Sequence, residues 1–175
     1  MKLLVVLVAL MSMVGMPGRA AQSGAVAKMA VFDFELIDTS LQGEVDGPRK
    51  DEQERLARAA EQLRHALAES GKFQVLDIAP VSVAAHNSNL QACGGCEVKL
   101  AEQIGADLVI TGVVQKVSNL ILNMNIYLRD VHGGQPLAVM SADLRGNTDE
   151  SWTRTMGWLI RNRMLAPNYG APQPQ

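Results

Sequence analysis

The chain has 175 residues, of which 47% are hydrophobic, 4% aromatic and 19% charged, with a net charge of −2 at neutral pH. A mildly acidic chain with few aromatic residues lacks the electrostatic footprint of a nucleic-acid binder. Past its first residues no stretch is long and apolar enough to span a bilayer, which argues against stable membrane insertion.

Met1-Lys2, an apolar run from Leu3 to Met16 and the small-residue stretch Pro17-Gly-Arg-Ala-Ala21 have the layout of a secretory signal peptide. Gly18 and Ala20 occupy the two small-residue positions, so residues 1–20 are expected to be the signal, cut after Ala20. No cysteine follows the run, which excludes lipid attachment at that site. Lys2 and Arg19 would leave with the signal and no acid would, making the exported protein slightly more acidic. Residues 21–28 then read as a linker, 29–165 as one domain and 166–175, rich in Pro, Gly and Gln, as a disordered tail.

Within the domain, Met29 to Ile37 is apolar and β-branched enough for a buried strand, and 38–51, with Gly43, Gly47 and Pro48, reads as a loop. From Glu52 to Ser70, Leu56, Ala59, Ala60, Leu63, Ala66 and Leu67 recur at the spacing of one helical face, and Gly71 can end that helix. Phe73 to Asp77 is a short strand, and a second helix is predicted over 93–104, ended by Gly105. Leu108 to Val114 has the pattern of a strand buried on both sides. Leu122, Met124, Ile126 and Leu128 alternate with Asn123, Asn125, Tyr127 and Arg129, which marks a strand with one wet face. His132-Gly-Gly-Gln135 turns the chain, and Leu137 to Leu144 returns as the hairpin partner. Asn147 with Glu150 fits a capping box for a last helix, whose apolar face is Trp152, Met156, Leu159 and Ile160. The expected architecture is one α/β layer domain, a mixed five-stranded sheet with about three helices.

Several of these stretches, taken together, resemble known domains. Ala30-Val-Phe-Asp-Phe-Glu35, Leu67 to Asp77, Gly105-Ala-Asp-Leu-Val-Ile-Thr-Gly112 and Leu128-Arg-Asp-Val-His-Gly-Gly134 follow one another as in the amino-terminal domain of the periplasmic Tol–Pal protein and in curli-secretion-channel lipoproteins. More closely, the chain is similar to a proteobacterial family of small secreted proteins, a domain of unknown function, whose members accompany periplasmic alcohol-oxidation systems. That resemblance implies a binding or assembly module with no reaction and no cofactor of its own. The chain lacks the lipid-bearing cysteine, the β-propeller and the pore-forming hairpins of the better-known relatives, so neither pore formation nor outer-membrane anchoring carries over.

Cys93-Gly-Gly-Cys96 is the sharpest local signal. In an oxidising compartment the pair is expected to be joined, either as a local clip or as a thiol–disulfide exchange site with Cys93 attacking and Cys96 resolving. A helix starting at Cys93 would favour the reactive reading, while the polar segment before it and the missing aromatic neighbour favour the clip. Glu97, not His, follows Cys96, which excludes covalent haem, and His86 alone does not complete a zinc site, so no metal is expected there.

Asp33 and Glu35, two apart on a strand, should project from one face and, with Asp38 and the acidic loop after it, could offer oxygens to a hard cation. A solvated charged loop is the competing reading. Leu120, Ile121, Leu122 and Met124 suit either a core strand or a partner surface. Asn123 and Asn125 on the wet face, and whichever of Trp152 and Trp158 is not core, suit the rim of a contact; Trp158 is the candidate. No catalytic set is complete. The sequence therefore points to a non-enzymatic accessory protein that binds a protein partner or a second copy of itself in the periplasm, with thiol–disulfide exchange as the alternative.

Overall fold

The computed structural model describes residues 26–167 and Tyr169. The expected signal peptide, its cut after Ala20 and most of the tail lie outside them. The elements in chain order are β1 (Ala27–Asp38), α1 (Leu41–Asp46), α2 (Lys50–Glu69), β2 (Phe73–Val75), a 3₁₀ turn (Ala79–Val81), α3 (Ser82–His86), α4 (Cys96–Gln103), β3 (Leu108–Ser118), β4 (Ile121–Asp130), β5 (Pro136–Leu144) and α5 (Asp149–Leu159). One further π-helical turn, Ile160–Met164, extends α5.

The strands form one mixed sheet in the order β2-β1-β3-β4-β5. β1 runs parallel to β2 and β3, while β3, β4 and β5 form an antiparallel meander. Side chains alternate across a strand, so the sheet has two faces with different fates. On the first lie Met29, Val31 and Phe34 of β1, Ile110 and Val114 of β3, Met124 and Ile126 of β4 and Met140 and Leu144 of β5. The apolar stripes of α2 (Leu56, Ala60, Leu63, Leu67) and α5 (Trp152, Met156, Leu159) seal them into the main core. The second face is covered at one end only, where Ala30, Phe32 and Val109 meet Val81, Ala85, Leu90, Leu100 and Ala101.

Close approach inside the main core depends on Gly112, where an added Cβ would lie 2.3 Å from the Phe34 ring. Gly71, at φ 67°, ends α2 in a conformation that favours glycine. Tyr169 packs against the main core, so the chain stays attached at least that far.

Three expectations are corrected, and one stretch without an assigned element proves to be structured. The segment after Asp38 is not all loop: Ser40 caps α1, its hydroxyl accepting from the Gly43 amide at 3.1 Å. The stretch between β2 and the cysteines folds into the 3₁₀ turn and α3. Helix α4 begins at Cys96, three residues later than expected, behind Gly94 and Gly95, which both take positive φ. Thr148, not Asn147, caps α5, its hydroxyl accepting from the Ser151 amide at 3.2 Å, and Glu150 pairs with Arg154 instead of closing a capping box. Asn147 is occupied elsewhere, accepting from the Trp152 indole at 2.9 Å and donating to Glu52 at 2.6 Å.

Candidate functional site

The carboxylates singled out in the sequence do not converge. β1 gains one extra residue against β3 between Val31 and Phe34, and this bulge reverses the alternation. Asp33 consequently reaches Arg64 of α2 at 2.6 Å on the closed side of the sheet, whereas Glu35 accepts from the Leu90 amide at 2.9 Å on the other side. Asp38 accepts from Lys116 Nζ at 3.0 Å and from the Ser40 amide at 2.9 Å. Each carboxylate thus has a protein donor of its own.

Asp38 belongs to a buried ion group that pattern reading missed. The Lys116 side chain is 0% exposed and also donates to Glu52, itself 1% exposed, at 2.6 Å. Burial alone would push the Lys116 ammonium down, but its hydrogen bonds to Glu52 and Asp38 outweigh that and hold it above its ordinary value. Burial likewise raises Asp38, and the bonds from Ser40 and Lys116 carry it below the usual carboxylate range. A lysine at an inward position of β3, two residues on from Val114 and on the same face, was the available signal. The group ties β1, α2 and β3 together, with Lys116 and Glu52 buried and only Asp38 partly exposed, so its role is structural.

Cys93 and Cys96 form a disulfide. Because α4 starts at Cys96, the helix terminus acts on the second sulfur and not on Cys93. The buried Glu97 carboxylate lies 3.7 Å from Cys93 Sγ and opposes a thiolate there, while Arg129 meets its other oxygen at 3.3 Å. Cys93, Cys96 and Glu97 are the one grouping of three metal-ligating side chains among the described residues, but the two sulfurs are bonded to each other. A single carboxylate remains, which does not make a metal site.

The disulfide loop forms one wall of a hollow of about 670 Å³ over the uncovered part of the second sheet face. Thr111, Gln115, Tyr127 and Arg129 line its floor, and its lining holds no histidine, serine or free thiol. Asn123 and Asn125 do lie on this face, as the alternation of β4 requires. Asn123 donates to Asp143 of β5 at 2.9 Å, whereas Asn125 is buried.

Beyond them the face ends at β5, which among the described residues pairs with β4 alone and has no strand on its outer edge. Nine residues long, β5 carries Asp143 as its single charge, and Leu137 and Val139 are exposed on the open face. Along this edge, Ser141, Ala142 and Asp143 share a hollow of about 390 Å³ with Arg154, Thr155 and Trp158 of α5. Trp158 is 44% exposed there, while Trp152 is buried. The two tryptophans therefore divide as their six-residue spacing implies. No helix among the described residues is long and apolar enough to cross a membrane.

A family model described as "Protein of unknown function (DUF2380)", the DUF3280 family, matches residues 27–164. Among solved structures, the chain is similar to the LpoB C-terminal domain from Salmonella enterica at 18% identity, over 72% of this chain and 87% of that one, with a TM-score of 0.51. The LpoB C-terminal domain from Escherichia coli aligns at 19% identity over 68% and 82%, with a TM-score of 0.50. TolB from Acinetobacter baumannii aligns at 14% identity over 81% of this chain and 29% of that one, with a TM-score of 0.43. The first two likenesses show a shared fold and the third carries no weight by itself. No curated protein matches the chain in sequence.

Proposed function

The chain belongs to the DUF3280 family, and we propose that it is a non-enzymatic accessory protein of the periplasm that binds a partner protein by accepting a strand on the outer edge of β5. The observation that carries this reading is the outer edge of β5 from Ala138 to Leu144, which no strand covers among the described residues, with exposed Trp158 beside it. Pro136 and the bulge at Leu137 blunt only the start of β5, and from Ala138 to Leu144 the edge carries no lysine, proline or bulge of the kind that keeps other chains away. An added strand would continue the main-chain ladder, and its inward side chains would fall into the hollow at Trp158, Thr155 and Arg154. The likeness to LpoB domains supports the fold on which such an edge is built and says nothing of the partner. A component of a periplasmic oxidation system is the first partner to test.

The test is a photo-crosslinking residue at Val139 in the protein as cells export it. One discrete adduct, absent when the crosslinker sits at exposed Glu61 and lost in Ser141→Pro, is expected. Equal adducts from both positions, or an adduct that survives Ser141→Pro, would refute strand addition at β5.

A further inference from the structure

Helix α1 faces the wrong way for a helix of its own domain. None of its residues is an apolar core residue, and Leu41 and Val45, four apart, are each 75% exposed. Gly43 lies between them in sequence and about 200° around the helix from either, by the pitch of an α-helix. It is Gly43 that meets the domain: an added Cβ there would come within 2.5 Å of the Asp38 carboxylate. The helix is fastened by polar contacts, the Ser40 cap, the Asp38 bond to the Ser40 amide and a bond of 2.8 Å from Asn119 to Gln42. Its inner side is thus a glycine, and its apolar pair points outward.

The Asn119–Gln42 bond brings the β3–β4 turn to the same end of the sheet, and Leu120 in that turn is 76% exposed. Val117 and Ile121 beside it are also exposed. Aliphatic side chains gathered at one end and rimmed by polar residues mark an interaction surface. The rim carries Glu44 and Asp46, which form no ion pair among the described residues; of the neighbouring cations, Arg49 is bound to Asp51 with Asp46 also in its field, and exposed Lys50 lies 3.8 Å from Glu54.

We infer that this end of the molecule is a second docking surface, distinct from the β5 edge, for a segment of another protein with an apolar stripe bordered by lysine or arginine. Charge decides between occupants. A second copy would set Glu44 and Asp46 against the same acids, and a membrane surface calls for interfacial Trp, Tyr, Lys or Arg, none of which is on Leu41–Asp46 or Val117–Ile121. A cationic, apolar polypeptide satisfies both the aliphatic centre and the acidic rim.

The probe is a fluorescent amphipathic helical peptide of leucine and lysine, titrated against the whole exported chain and followed by anisotropy. Saturable binding is expected, weakened at least about tenfold by Leu41→Ser with Val45→Ser and separately by Glu44→Lys with Asp46→Lys. Trp158→Ala should leave it unchanged, which separates this surface from the strand-accepting edge. Because α1 contributes no apolar core residue, the variants should keep the parent far-ultraviolet circular dichroism and melting temperature. The inference is overturned if the peptide fails to bind, if either double variant binds it as well as the parent, or if a leucine–glutamate peptide binds equally. Sedimentation showing self-association through Leu41 and Val45, or flotation with phosphatidylcholine–phosphatidylglycerol vesicles lost in that variant, would also overturn it.

Discussion

The two faces of the sheet are built from the same strands and put to different uses. The closed face is covered from β1 to β5 by α2 and α5 and holds the larger share of the buried apolar side chains. The other carries α3 and α4 at one end and leaves Val139, Leu137 and the 670 Å³ hollow uncovered. Hydrophobic stabilisation follows the area withdrawn from water, so the closed face supplies most of the fold's stability and the uncovered part of the open face can be altered at little cost. That division lets a small domain keep apolar surface available for a partner without coming apart.

Cutting the closed side should cost most. Glu52→Ala strips a buried partner from Lys116 and should lower unfolding stability by about 3 kcal/mol or more in urea titration, within the range for breaking a buried pair. Leu63→Ala, at a site with no exposure, should cost about 2–5 kcal/mol. Val139→Ser on the open face should stay within about 0.5 kcal/mol. If Val139→Ser were as damaging as Leu63→Ala, the open face would in fact be covered and the contrast would fail.

Between these extremes stands the clip on the open side. Cys93→Ser with Cys96→Ser should cost about 2 kcal/mol, since the loop it closes is so short. With Glu97 opposing a thiolate, its reduction potential should lie below about −300 mV, the range of structural disulfides. A value near those of exchange proteins would restore a redox role.

Acid should also act on the closed side. The Arg49 guanidinium bound to Asp51 holds that carboxyl down at about 2, and Arg55 lowers Asp149 in the same way. Their pairs link the start of α2 to itself and to the start of α5. A depressed carboxyl contributes stability above its unfolded value, near 4, and loses it as pH falls toward the folded one. The melting temperature should therefore drop between about pH 4 and about pH 2. Lys116 has the opposite sign: raised, it contributes below its ordinary value and loses that contribution only as pH climbs past it. A flat acid limb would show that these solvent-exposed pairs add nothing to stability.

Much of this was legible beforehand. The period-2 pattern of β4, the helical stripe of α2, the apolar face of α5 and the division between Trp152 and Trp158 all follow from side-chain spacing. What spacing could not carry was local. A single inserted residue in β1 moved Glu35 to the face opposite Asp33, because alternation has no memory across a bulge. Helices of five and six residues, α3 and α1, fall below the window in which a stripe can be counted. Asn147 looked like a cap because caps are local, but Glu52, distant in sequence, claimed its side chain. The Lys116 group rested on a tertiary meeting of three elements that no local pattern contains.

The far edge of the sheet limits what the near edge can build. β2 contributes three residues, and beyond it β1 is bulged, with the Arg64 guanidinium occupying the Val31 carbonyl at 2.9 Å. That edge offers no continuous ladder. A sheet open on one side only has a valence of one: it can end a growing strand array but cannot pass it on. Strand addition to this protein should therefore yield complexes of fixed size and never fibres.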